Sequence, residues 1–262
     1  MLEHINLEDI LFLDIETVPQ YPDFSLLDES SQHLWEEKTI SGSFRKKEEE
    51  QTVAQLYERA GIYAEFGKIV CISTCYLYRQ QNEWAFRVKS CFHDDESQLL
   101  NEFNQLLESF AQRHNTILCA HNGKEFDFPY IARRMLINGI GLPAVLNIAG
   151  KKPWEVSFLD TMDLWRFGDY KSYTSLKLLT HIFGIPSPKD DIDGSQVCGV
   201  YWNEKDLPRI ARYCEKDVLA VVQILLRYRG LPVIPVEKVS SSSFPANPTA
   251  TFDTIHPTSA SE

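Results

Sequence analysis

Asp14-Ile15-Glu16 sets two carboxylates two residues apart at the end of an apolar run, Ile10-Leu11-Phe12-Leu13. On extended chain, residues i and i+2 point to the same side, so the two acids share a face and can clamp a cation. The spacing alone is unspecific, since Asp94-Asp95-Glu96 repeats it before an amphipathic segment, where acids cap a helix N-terminus. A second group, His121-Asn122-Gly123-Lys124-Glu125-Phe126-Asp127, follows another apolar run and again ends in a carboxylate. A third is Tyr213 with Asp217, four residues apart and so on one face of a helix. Of the eleven tyrosines, only Tyr213 has an aspartate at that spacing. Carboxylates are the oxygen ligands that Mg2+ and Mn2+ prefer over thiolate or imidazole.

These residues need elements to bring them together. Ile10 to Ile15 reads as a buried central strand. Residues 19–66, with the charged cluster 45–50 and apolar positions at Val53, Leu56, Tyr57 and Ala60, read as a mostly helical insertion. Ile69 to Tyr78 and Trp84 to Cys91 form a hairpin pattern around the polar residues 79–82. Leu99, Leu100, Phe103, Leu106, Leu107 and Phe110 keep helical spacing. Thr116 to Ala120 is the next buried strand, Phe128 to Asn138 a helix closed by Gly139, and Val156 to Asp160 a short strand. Ser175 to Phe183 and Lys205 to Tyr228 are helices, the second started by Asn203. From Val236 onward Ser, Pro, Thr and Ala without periodicity predict a disordered tail, 237–262. Strands alternating with helices predict an α/β layered domain over 1–236. In such sheets ligands bind beyond the carboxyl ends of the strands, where Asp14 and His121-Asn122 fall.

D-x-E, then N-x-x-x-F-D, then Y-x-x-x-D, in that order, resembles the DEDD superfamily of 3′-5′ exonucleases in its tyrosine subclass, across roughly residues 10 to 230. Glu65-Phe66-Gly67-Lys68-Ile69, Leu159-Asp160-Thr161 and 184–189 are also similar to stand-alone bacterial proteins that resemble the proofreading domain of B-family DNA polymerases. The resemblance implies an RNase H-like mixed sheet of five strands, in the order 3-2-1-4-5 with strand 2 antiparallel, flanked by helices. It further implies a metal-dependent exonuclease that releases nucleoside monophosphates from the 3′ end of single-stranded DNA. Exoribonuclease activity and a binding or proofreading partner subunit of a polymerase are the alternatives, and protein partners stay open.

Phosphodiester hydrolysis needs a nucleophile from water and stabilisation of charge on the phosphoryl oxygens, which two metals ~4 Å apart can supply. Asp14, Glu16, Asp127 and Asp217 are the expected ligands of two divalent cations, Mg2+ or Mn2+, with Asp14 shared. An ordinary phenol, with pKa ≈ 10, keeps its proton at neutral pH, so Tyr213 is read as orienting the attacking water by hydrogen bonding. Asn122 and Phe126 shape the cleft, Phe126 by packing or by stacking on a terminal base. Thr17 toward the terminal nucleotide is implied by the resemblance alone. Lys124 and Lys177, with Arg166, Lys171 and Lys189, are candidate phosphate contacts. His121 is read as holding its loop and Asp160 as an acid behind the cleft. The acidic loop 189–194 lacks the closing glutamate of a calcium-binding EF-hand.

Six cysteines without a C-x-x-C pair read as reduced, buried thiols. No apolar run approaches the ~20 residues of a membrane span, and Met1-Leu2-Glu3-His4 has no signal-peptide character, so the expected location is cytoplasmic. The net charge of -11 excludes a broad polybasic grip on duplex. It is uneven, however, because residues 121–190 hold nine Lys/Arg against seven Asp/Glu. A short single-stranded end drawn in by metal fits that balance.

Overall fold

Strand β1, Ile10–Pro19, runs through a six-stranded sheet in a computed structural model that describes residues 1–41, 51–169, 171, 173–185 and 191–244. The other strands are β2 Gly67–Gln80, β3 Glu83–Phe92, β4 Ile117–Ala120, β5 Phe158–Asp160 and β6 Val239–Ser241, in the order β5-β4-β1-β2-β3-β6. β2 is antiparallel to both neighbours, whereas β4, β5 and β6 pair in parallel. Five of these strands follow the expected RNase H-like order, and β6 is an addition at the β3 edge. The β2–β3 hairpin closes through Gln81 and Asn82 at φ 51° and 70°, the left-handed pair that a tight two-residue turn requires.

Alternation along β1 decides what each face meets. Leu11, Leu13 and Ile15 join the core that includes residues of α3, Glu96–Ala111, and α4, Asp127–Ile137. Ile10, Phe12 and Val18 face the other way, into the clusters built with α8, Leu207–Tyr228. The apolar stripe of α8, with Ile210, Cys214, Val218, Val221 and Val222, covers that face. Asp14 and Glu16 therefore interrupt an otherwise apolar row under α8.

The 19–66 segment contributes α1, Glu29–Ser41, α2, Val53–Leu56, and a 3-10 stretch, Tyr57–Ile62. They close on a fully buried Trp35, which packs edge-on against Tyr57, Tyr63 and Phe66. The remaining helices are α5, Thr161–Arg166, α6, Leu176–Ile182, and α7, Val197–Gly199. The charged cluster 45–50, Lys189 and the tail beyond 244 lie outside the described residues.

Three expectations need correction. The long helix does not start from Asn203: a π-helical turn, Val200–Glu204, runs into a left-handed Lys205, and Asp206 caps α8 by accepting from Arg209 N–H at 3.1 Å. Pro208 has no N–H to lose in that first turn. Residues 236–244 are ordered, because β6 pairs with β3, Glu215 of α8 accepts from Ser241 and Ser243, and Ser243 Oγ accepts from Ser90 N–H. The acids 94–96 divide their work. Asp95 caps α3 and Asp94 accepts from the Tyr201 hydroxyl at 2.9 Å, while buried Glu96 accepts from Ile69 N–H, Arg134 and Asn138. All six cysteines are free thiols. No helix among the described residues is long and apolar enough to cross a membrane.

Candidate functional site

The site begins where the apolar alternation of β1 fails. Asp14 stands opposite Ser73 and Glu16 opposite Cys71, and a bulge between Glu16 and Thr17 shifts the register with β2 immediately afterwards. Bulges of this kind re-aim side chains at strand ends. Glu16 is buried at 8 % exposure, and Asp14 is partly buried.

Asp127 arrives from β4. The chain leaves Ala120 through a tight loop in which Asn122 takes φ 63°. A Cβ on Gly123 would sit 2.4 Å from the Ala120 Cβ, so only glycine fits there. Buried Asp160 holds the loop by accepting from the backbone N–H of Asn122 at 2.9 Å and of Lys124 at 3.1 Å. The same carboxylate caps α5. His121 braces the loop through Thr161 Oγ1 at 2.9 Å and the Thr174 carbonyl at 3.0 Å. Asp127 thus opens α4 with its carboxyl buried and bonded to Ile15 N–H of β1.

From α8 come Tyr213 and Asp217, joined by a hydrogen bond from phenol to carboxylate. Cys214 between them donates its thiol to the Asp14 carbonyl at 3.3 Å and to its Oδ2 at 3.4 Å, pinning the helix to β1.

Asp217, Glu16 and Asp127 all act electrostatically on Asp14, while the tight cluster of ligand atoms among the described residues is Asp14, Glu16 and Cys214 and includes neither Asp127 nor Asp217. Burial is the largest cause that raises the Asp14 carboxyl well above its ordinary range, and the charges of Asp217, Glu16 and Asp127 add to it. Glu16 is raised likewise, by burial, Asp217, Cys71 and Asp127. Asp127 is pushed up to about 7, chiefly by burial and further by Asp160, against the pull of the Ile15 N–H. Burial and the neighbouring carboxylates push the Tyr213 phenol up as well, so it keeps its proton. Buried like charges of this kind call for a cation. Ligand atoms of Asp14, Glu16 and Cys214 lie within 4.8 Å of one another, so the donor set fits a divalent ion.

The other sequence candidates spread outward. Phe126 packs on Tyr130 at a ring distance of 5.3 Å, and Thr17 hydrogen-bonds the same tyrosine. Lys124 is paired with Asp163 at 2.8 Å and Arg166 with Glu125 at 3.4 Å, while Lys177 and Lys171 are exposed. The Asn122 Oδ1 is buried and has no hydrogen-bond partner among the described residues. Arg212 and Lys216, which the sequence reading did not single out, line with Tyr213, Ile192, Arg209 and Asp191 a cleft of about 100 Å³ that contains none of the four acids. The two are themselves four apart on α8 and so share a helix face. A larger cleft of about 370 Å³, between α3 and the hairpin strands at Thr74, Tyr76, Arg87 and Lys89, opens on the opposite face of the sheet and contains none of the four acids.

Residues 62–238 match the family described as a predicted 3′-5′ exonuclease related to the exonuclease domain of PolB. That span includes Asp127, Tyr213 and Asp217 and begins after Asp14 and Glu16, which β1 brings to them. The chain is also similar to the solved structure of the family B DNA polymerase from the hyperthermophilic archaeon Pyrobaculum calidifontis, at 15% identity and a TM-score of 0.51. The likeness covers 84% of this chain and 24% of the polymerase chain, and it speaks to the fold.

Proposed function

The chain belongs to the family of predicted 3′-5′ exonucleases related to the exonuclease domain of PolB, and from that premise we propose that it is a 3′-5′ exonuclease of the tyrosine subclass acting on single-stranded DNA ends. The observation that carries this reading is that Asp14 on β1 lies within the electrostatic reach of Glu16, Asp127 and Asp217, with the Tyr213 phenol bonded to Asp217. Asp14, which feels the other three carboxylates, would with Glu16, Asp127 and Asp217 hold the two divalent cations, Mg2+ or Mn2+. When bound, such ions supply an activated water and neutralise charge on the phosphoryl and leaving oxygens.

The protein's own residues do the rest. The Tyr213 phenol donates to Asp217, which leaves its oxygen lone pairs free to accept from a water and set its direction. It is no general base, because burial keeps it protonated. Arg212 and Lys216, beside Tyr213, meet the phosphates of the entering strand. Lys124, held by Asp163, steadies the 121–127 loop and contacts phosphate only at its rim. Asn122, Phe126 and Thr17 flank the approach of the terminal nucleotide.

The test is incubation with 5′-labelled DNA and RNA oligonucleotides and Mg2+ or Mn2+. The expected result is a ladder of stepwise 3′ shortening on DNA that falls at least a hundredfold in Asp127→Ala. Undiminished shortening in that variant overturns the site, and shortening of RNA in preference to DNA overturns the substrate.

A further inference from the structure

Beside the carboxylates of β1 lies a donor that oxygen-seeking cations do not require. Cys214 is fully buried and its thiol rests against Asp14, with Glu16 completing a trio of ligand atoms within 4.8 Å of one another. A second thiol, Cys71, stands opposite Glu16 on β2 and hydrogen-bonds Cys214. The Glu16 carboxylate supplies an independent sign of a ligand. It is 8 % exposed, and among the described residues no hydrogen bond reaches it. A carboxylate so deep in protein normally has a donor or a cation.

Two carboxylates and a thiolate are not a neutral choice of donors. Mg2+ and Ca2+ take oxygen ligands and have little affinity for sulfur, whereas thiolate selects zinc and its soft relatives. Three protein ligands with a fourth position left to water is an ordinary zinc arrangement. We infer that Asp14, Glu16 and Cys214 capture a thiophilic divalent cation, Zn2+ or Cd2+, which competes with the hard cation of the proposed reaction. On capture the metal–sulfur bond forms as the thiol proton leaves to solvent, with no change of oxidation state. Capture itself does not need the exonuclease reading; the inhibition that follows from it rests on that reading.

The test uses the full chain, stripped with chelator and titrated with Cd2+ while the ultraviolet sulfur-to-cadmium charge-transfer band is recorded. Wild type is expected to give a band that saturates at about one ion per chain. Cys214→Ser should lose at least four-fifths of it, and Glu16→Gln should keep a band but need at least tenfold more Cd2+. Cys91→Ser, whose thiol is buried elsewhere on β3, should match wild type. No band in wild type overturns the inference, as does an unchanged one in Cys214→Ser. If Cys214→Ser does not fold, Glu16→Gln decides, and unaltered Cd2+ affinity there overturns it. In parallel, near-stoichiometric Zn2+ should lower Mg2+-supported 3′ shortening at least tenfold. A protein that shows the band but never shortens DNA fails the functional reading alone. One that shortens DNA and shows no band fails this inference alone.

Discussion

Asp127 concentrates what the fold asks of a single residue. Its carboxyl is held at 4 % exposure at the first position of α4, with its pKa near 7, mainly through burial. The native value lies above the ~3.9 of an unfolded aspartate, so the native state holds the proton more tightly. Its contribution to stability is therefore fullest below pH ~4 and is lost as pH rises through 7, by up to ~4 kcal/mol over ~3 units. Asp14 and Glu16 are displaced in the same direction and deepen the loss. In chelator, the melting temperature of the wild type should fall between pH 5 and pH 8, and Asp127→Asn should flatten that fall. Calorimetry across the range checks this, and parallel curves for the two proteins contradict it. Adding Mn2+ at pH 8 should raise the wild type by several degrees and the variant by less. The Asp14–Glu16 and Tyr213–Asp217 pairs could be read as candidates because their spacing is local, i+2 on a strand and i+4 on a helix, whereas Asp127 was drawn from the N-x-x-x-F-D pattern of the resemblance. Cys214 was not legible in the sequence, because its thiol matters only once α8 lies across β1. Glu16 and Cys214 are 198 residues apart in the chain and meet only in the fold.

At the scale of elements, a buried ion pair clamps α3 to α4, the helix that Asp127 opens. Glu96 and Arg134 are 7 % and 5 % exposed, and Glu96 also accepts from Ile69 N–H at 2.7 Å while Arg134 donates to the Ala64 carbonyl at 2.8 Å. One buried ion pair thus ties β2, α3, α4 and the end of the helical insertion. Removing one partner strands the other's charge, which costs about 3–5 kcal/mol. Arg134→Met should lower stability by that amount. The double variant Glu96→Leu/Arg134→Met should lose less than the two single losses together, although the orphaned Ile69 N–H still costs ~1–3 kcal/mol. Urea unfolding of the four proteins measures the coupling, and strict additivity would mean the pair does not act as a unit. The α3 stripe, the α4 helix and the hairpin could be read ahead because periodicity and turn residues specify them locally, whereas the sheet order came from the family resemblance. Glu96 was read as a cap, since a buried role depends on Arg134, 38 residues away. β6 was missed for a similar reason: Val239–Ser241 has little apolar character and is held by β3 and Glu215. Asn203 has the right side chain for a cap, but the π turn that follows Val200 moves the helix start to Asp206.

At the scale of the whole molecule, under the proposed function the charge of -11 and the cleft beside Tyr213 would set how strongly a strand is held. Most cations near the site are already engaged: Lys124 with Asp163, Arg166 with Glu125, Arg209 with Asp191 and Glu204. Arg212, which faces the Phe244 ring, and Lys216 have no ion pair among the described residues. Two phosphate contacts on a single strand predict a slope of log K against log salt near about −1.4, or roughly sevenfold weaker binding between 50 and 200 mM. A polybasic binder with six to ten contacts would lose ~10³–10⁵ over the same range. Fluorescence anisotropy with a labelled single strand, Asp127→Ala protein and a fixed divalent concentration measures the slope. Arg212→Ala/Lys216→Ala should bring it close to zero and weaken binding at low salt, while Lys177→Ala on exposed α6 should change it little. A slope steeper than about −4 would require many more phosphate contacts than these two cations can make. Such a result would move the strand's path away from α8 and towards the more basic 121–190 stretch.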